Sequence, residues 1–204
     1  MSLIIRDYQD AGEFLTDAIE NDRYGNKNLN SHDNYRKHCQ TVGEQSRIEA
    51  ARIAAEYDVD IELASISGLL HDIGKIVVTP ESKKKDPDLI FDSIHGYEYL
   101  VENGLKDIAK TIFPSFTLLE MMRMYPNIFP EYADHKLEPV TMEQKIVVYG
   151  DCHVNGSGEL VSFDKRMGDI RKRYPSDSIM VRSLDNGGEQ RLRALSQEID
   201  SLIA

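Results

Sequence analysis

Residues 71 to 75 read His71-Asp72-Ile73-Gly74-Lys75 and follow an apolar helical run from Asp60 to Leu70, in which Leu63, Ile66 and Leu70 share a face. Imidazole and carboxylate are the two side-chain types that suit divalent zinc, iron, manganese, cobalt and nickel alike. Adjacent residues in mid-helix point about 100° apart, so both can address one ion only near a helix end. Gly74 is expected to supply that end through the left-handed conformation that stops helices. Alone, a His-Asp pair is usually a structural hydrogen bond, so its meaning depends on what else converges on it.

There are six histidines. His38 lies in a stretch, Ser31 to Tyr57, that reads as a long helix capped by Asn30 or Ser31, with Ile48, Ala51 and Ala55 on its inward stripe. It stands one turn from Val42 and so faces inward. Asp151 interrupts the apolar helix Lys145 to Val154, which Thr141 and Gln144 open as a capping box. An ionised carboxylate on such a face is costly unless it is paired, protonated or bound to a metal, and a buried arginine is the alternative partner. Gly150 beside it permits close approach of another helix.

His38, His71, Asp72 and Asp151 thus form an H…HD…D set on three helices. In this set the chain resembles the HD superfamily of metal-dependent phosphohydrolases, and the pentapeptide resembles the HDIG branch. Ile94 to Leu100, followed by Asn103-Gly104-Leu105, is similar to the family's next helix. Pro139 to Val154 is similar to its closing core helix, with Gly150-Asp151 where the family usually has an alanine-aspartate pair. The resemblance covers about Ser31 to Val154, and Phe163 to Leu202 more loosely resembles the C-terminal helices of HDIG proteins. It implies an all-α fold, an HD-domain helical bundle with additional C-terminal helices. One domain of residues 1–204 is expected, with an N-terminal helix over 8–21, a core over about 31–154 and an extension over 163–204.

Residue by residue, the resemblance implies that His38, His71, Asp72 and Asp151 bind a divalent ion. Asp72 would also orient or deprotonate the attacking water, and Lys75 would meet a substrate phosphate. Independently, phosphoryl transfer needs charge neutralisation and an oriented nucleophile more than covalent chemistry, and such an ion supplies both. A second metal, also open within the resemblance, would draw on histidines between the HD pair and the last aspartate. His95 fits at the start of its helix, with Asp92 or Ser93 as cap. The position where related sequences often place another histidine reads Phe113-Pro114-Ser115 here, which leaves His135, otherwise an exposed loop residue. His32 and His153 read as surface or supporting residues.

Phe163 to Tyr174 is basic at Lys165, Arg166, Arg171, Lys172 and Arg173. Packed over the cleft, Arg166 and Arg173 can grip a substrate phosphate bidentately. Asp164 and Asp169 instead offer them surface ion pairs. Lys83-Lys84-Lys85 in the loop after the pentapeptide reads as solvated, or as a lure for phosphate. Pro126, Pro130 and Pro139 punctuate an irregular crossing expected to shape the substrate pocket. In the last helix Leu192, Leu195, Ile199 and Leu202 form a stripe that packs on the body or on a second subunit in a homodimer.

Acidic residues outnumber basic ones 35 to 24, a net charge of −11, which disfavours nucleic acid and acidic membranes as partners but not a small anion held by a metal. Cys39 and Cys152 lack zinc-ligand spacing and read as free buried thiols of a reducing compartment. No run approaches the roughly 20 apolar residues of a membrane span, and the first residues lack a signal peptide's apolar core, so a cytoplasmic location is expected. The expected activity is hydrolysis of a phosphorylated small molecule, a nucleotide foremost, using manganese, iron, nickel, cobalt or zinc. The alternative is a sensor or scaffold whose metal is fully enclosed by protein ligands.

Overall fold

A computed structural model describes residues 5–21, 31–77, 79–80, 84, 86, 91–133 and 135–204. The polar loop read over Asp22 to Asn30, most of the charged loop after the pentapeptide, and Lys83 and Lys85 of its basic triplet lie outside the described residues. The fold is all-α: α1 (Tyr8–Glu20), α2 (His32–Ile53), α3 (Ile61–Leu70), α4 (Asp92–Glu102), α5 (Lys106–Ile112), α6 (Leu118–Met124), α7 (Met142–His153), α8 (Phe163–Arg173), α9 (Ile179–Ser183) and α10 (Glu189–Ile203). Among the described residues the one extended pairing is an isolated antiparallel bridge between Val154 and Leu160. None of their helices is long and apolar enough to cross a membrane.

Local chemistry explains where the helices start. The side chains of Ser31, Asp60 and Ser162 accept from the amides of Asn34, Leu63 and Lys165, satisfying donors that the first helical turn leaves free. Thr141 and Gln144 form the reciprocal capping box that their spacing predicts. Two boundaries differ from expectation. Helix α2 stops at Ile53 rather than Tyr57, and Asp92 and Ser93 lie inside α4, whose cap position is Phe91.

Helix α3 is buried on nearly every side and packs against α2, α5 and α7. Small residues let it approach α2. A side chain on Gly68 would come within 2.6 Å of the Ser46 hydroxyl and 3.0 Å of the Gly43 Cα. Gly150 of α7 likewise faces Val42 and Ser46 of α2, as its position beside Asp151 suggests. One part of the core joins Leu15, Tyr35, Leu70, Ile73 and Ile112 around α3. Another joins Ile53 and Ile146 to Met167 of α8 and Leu192, Leu195 and Ile199 of α10, so that the last helix's stripe is covered within the chain itself. The long helices therefore form a frame around the point where α3 ends.

Candidate metal centre

Helix α3 ends at Leu70, and His71 and Asp72 continue into a 3₁₀ turn, Ile73–Lys75, closed by bonds from the amides of Lys75 and Ile76 to the carbonyls of Asp72 and Ile73. Gly74 acts differently from expectation. It is not among the glycines with positive φ, which are Gly104, Gly158 and Gly187. What it provides is room, because a Cβ at this position would lie 1.8 Å from the Asp92 carbonyl oxygen and 2.6 Å from the Gly96 nitrogen. Absence of a side chain lets the start of α4 rest on the turn.

This turn, α2 and α7 bring together the four residues singled out from the sequence. His38 Nε2 lies 3.3 Å from His71 Nε2, 3.6 Å from Asp72 Oδ2 and 3.4 Å from Asp151 Oδ1. His71 Nε2 lies 3.5 Å from Asp72 Oδ1 and 3.9 Å from Asp151 Oδ1. One ligand-type atom from each of His38, His71 and Asp72 lies within 4.8 Å of the others, and Asp151 Oδ1 adjoins both histidines.

The two imidazoles are held in a defined state. Nδ1 of His38 and Nδ1 of His71 donate to the carbonyls of Asn155 and Gly68, at 3.0 and 2.8 Å. A carbonyl only accepts, so in each neutral ring the proton sits on Nδ1 and the Nε2 lone pair is free. Two lone pairs facing each other across 3.3 Å, with carboxylates on either side, repel unless a cation sits between them. Burial lowers the pKa of His38 despite its aspartate neighbours and so favours the neutral ligand form. Burial by itself would raise Asp72, but His71, Lys75 and His38 outweigh it and hold its carboxyl at about 2. Two neutral nitrogens and two carboxylates fit a divalent ion.

Asp151 has the buried arginine partner that one sequence reading expected, and it also borders the histidines of the other. Its Oδ1 faces the histidines and also accepts from Arg166 Nη2 at 2.8 Å, while its carbonyl accepts from Arg166 Nε at 3.1 Å. Arg166 is 8% exposed and is not the surface ion pair that Asp164 and Asp169 could have made; those acids pair with Arg193 and Lys165. Burial pushes the Asp151 carboxyl up, but Arg166 and His38 prevail and hold it well below the usual range. Its unfolded value is about 3.9, so the stability this pair contributes is present above that pH and is lost as pH falls through the depressed folded value. Removing one partner of a buried pair costs about 3–5 kcal/mol. In metal-stripped protein, Arg166→Met should therefore lower stability by that order at pH 7, with the deficit shrinking below pH ~4. Urea unfolding at both pH values checks this, and an equal deficit at each would contradict it.

A cavity of about 80 Å³ opens beside the cluster, lined by His71, Asp72, Asp151, Lys75, Arg166 and Arg173, with Asp92, Phe116 and Tyr174 among its other walls. Lys75 Nζ is hydrogen-bonded to Asp72 Oδ2 and lies 3.6 Å from Asp92 Oδ2. Arg173 rests its guanidinium against Gly156, whose missing Cβ would come within 2.2 Å of Nη2. The irregular crossing from Pro126 to Pro139 does not wall this cavity. It borders a separate hollow of about 500 Å³ with Leu119, Met122 and His135.

Neither His95 nor His135 joins the cluster. His95 is buried and meets Asp86 Oδ2 at 3.2 Å, an oxygen that also accepts from the Phe91 amide. Burial would lower its pKa, but the hydrogen bond to Asp86 and the nearby Glu98 carboxylate, 4.0 Å from Nδ1, outweigh it and raise it to about 9. His135 is exposed, its ring 4.9 Å from that of Tyr132 and 5.4 Å from that of Phe113. A binuclear centre built on these two histidines therefore has no counterpart among the described residues.

Sequence reasoning missed Asp92, weighing it only as a helix cap. The one available signal was an acidic residue at the start of the helix after the pentapeptide, and no spacing rule connects that position to a site 20 residues earlier.

An all-α frame that gathers His38, His71, Asp72 and Asp151 beside a cavity is the arrangement of an HD domain. The HD domain family matches residues 35–151, more than half of the chain, and this protein belongs to that family, within the superfamily of metal-dependent phosphohydrolases. An uncharacterized protein of Methanocaldococcus jannaschii is 30% identical to it over 163 residues, covering 74% of this chain and 85% of that protein. No solved structure matches the chain significantly.

Proposed function

We propose that this protein is an HDIG-type phosphohydrolase that uses a divalent ion to hydrolyse a phosphoester or phosphoanhydride of a nucleotide or other small phosphorylated metabolite. The observation that carries this reading is the shared cavity wall: three of the four proposed ligands border the same space as Lys75, Arg166 and Arg173. A metal held there keeps a face open to water and substrate, which a purely structural site does not need. Charge supports the substrate class. Asp72, Asp92 and Asp151 are matched by Lys75, Arg166 and Arg173 around the cavity, so a bound dication leaves a positive surplus suited to a phosphate dianion. The cavity's small volume suits the phosphoryl group, with the rest of the substrate lying toward its more exposed walls at Tyr174 and Arg173.

When bound, the ion supplies an acidified water and neutralises phosphoryl charge. His38 and His71, oriented through their Nδ1 protons, and Asp72 and Asp151 would hold it. Asp72, ionised across the neutral range, would align the water or take its proton. Lys75 would shift from the carboxylates it now bridges to a phosphoryl oxygen, and Arg173 is placed to bind the anion at the rim. Buried Cys39 and Cys152 are free thiols, in keeping with a reducing cytoplasm.

A screen of the metal-reconstituted protein over nucleotides, dinucleoside polyphosphates, cyclic dinucleotides and sugar phosphates tests this proposal. The expected result is phosphate release that a chelator abolishes and that falls at least about 10²-fold in Asp72→Ala, the size of a general acid-base contribution. Activity surviving in Asp72→Ala would place the reaction elsewhere.

A further inference from the structure

We infer that Asp92 is a further catalytic residue, donating a proton to the departing oxygen as the substrate's P–O bond breaks. This rests on the hydrolytic reading above and assigns the acid that it leaves unnamed. Water polarised at the cluster attacks phosphorus from one side, and a leaving alkoxide must be protonated on the other.

Asp92 occupies a suitable place for that role. It lines the same cavity as His71, Asp72 and Asp151, and Lys75 Nζ stands between its Oδ2 and that of Asp72. Both carboxyls thus line one space and share contact with the lysine that would grip the phosphoryl group. Oδ1 of Asp92 accepts from the Ser93 amide at 2.9 Å, which orients the side chain and leaves Oδ2 toward the cavity. Lys75 Nζ lies 3.6 Å from Oδ2, beyond hydrogen-bond distance, so that oxygen receives no hydrogen bond from the lysine. Its position is backbone-determined, because Gly74 admits the Asp92 carbonyl onto the pentapeptide turn.

The electrostatics agree. Burial raises Asp92 to about 6 against the pull of Lys75, whereas Asp72 is held near 2. Carboxyls pushed apart in this way sort into acid and base. In the step, the water oxygen bonds to phosphorus as the P–O bond to the leaving group breaks, and that bond's electron pair goes to the leaving oxygen. The leaving oxygen takes the proton from Asp92, and the water gives one proton to Asp72 or to solvent. Asp92, with its side chain 22% exposed, regains a proton from solvent. The products are alcohol and inorganic phosphate.

The test compares 4-nitrophenyl phosphate, whose leaving group departs without a proton, with butyl phosphate, whose leaving group does not. With metal-reconstituted full-length protein, Asp92→Asn should lower kcat on butyl phosphate by about 10²–10⁴-fold, leave its KM nearly unchanged, and lower kcat on 4-nitrophenyl phosphate at least about tenfold less. Parallel losses on both esters would make Asp92 a mere support for Lys75, and no loss on butyl phosphate would remove it from the reaction. Either result overturns the inference. A measurement on the unaltered protein bears on it even if the variant misfolds. Across a series of substituted phenyl phosphates, proton donation predicts a shallow dependence of kcat/KM on leaving-group basicity, and a steep one overturns it. If the unaltered protein cleaves no ester at all, the hydrolytic reading itself falls, an outcome distinct from parallel losses.

Discussion

His38→Ala is expected to yield a folded, helical protein that no longer retains a divalent ion and whose phosphohydrolase turnover has dropped by about 10³-fold or more. The size follows from losing an ion worth several kcal/mol of transition-state stabilisation, at about 1.4 kcal/mol per factor of ten. His38 sits behind the cluster, buried and absent from the cavity wall, so removing it takes away a nitrogen without opening the substrate's path. Its Nδ1 also ties α2 to the Asn155 carbonyl, and leaving that acceptor unpaired costs about 1–3 kcal/mol, which a 22-residue helix packed on α3 and α7 can absorb. Elemental analysis after dialysis and far-UV circular dichroism separate the two effects. Unchanged metal content would remove His38 from the ligand set.

The second large effect is structural. Gly74→Ala should destabilise the protein by about 3 kcal/mol or more, the upper end for overpacking, because the added carbon meets backbone atoms that have no rotamer to escape into. For a chain of this length that is a fall in Tm of about 6–12 °C. The start of α4 must lift from the turn, taking Asp92 away from Lys75, so turnover should fall even where the variant is still folded. Gly168→Ala in α8 is the control, since nothing lies within 4 Å of the Cβ it would add. That change should be neutral or stabilising by up to ~1 kcal/mol, because alanine is the better helix former. Equal effects of the two substitutions would mean that α4 does not rest on Gly74.

Several elements were legible because their causes are local. The caps at Ser31 and Asp60 and the Thr141-Gln144 box act within three residues, so the chain announces them without reference to the rest of the molecule. The faces of those helices were less legible: α3 is buried on nearly every side, and α2 turns Val42, Ala50 and Ile53 inward, whereas the stripe expected of Ile48, Ala51 and Ala55 is exposed. His38, His71, Asp72 and Asp151 stood out because imidazole and carboxylate on inward faces are expensive without a reason, and the structure gathers them within one helix diameter.

Other features depended on contacts across long stretches of chain. Gly74 is needed for the carbonyl of Asp92 rather than for a left-handed turn, and nothing near it in sequence distinguishes those roles. Arg166 looked like one of five cations on an exposed helix until α8 was laid against Asp151, 15 residues away. His95 had the position of a ligand, yet its Nε2 faces Asp86 at 3.2 Å rather than the cluster of His38, His71 and Asp72. By itself the amino-acid sequence determined the helices, most of their starting points and the donor types of the centre, since these follow from propensity, capping and the cost of burying polar groups. Which charge faces which, and hence which carboxyl's pKa is raised by burial and which are held down by cationic neighbours, was decided only by the packing of α4 and α8 around the end of α3. Electrostatic and close-packing energies depend on distances of a few ångströms between residues that the order of the chain does not relate.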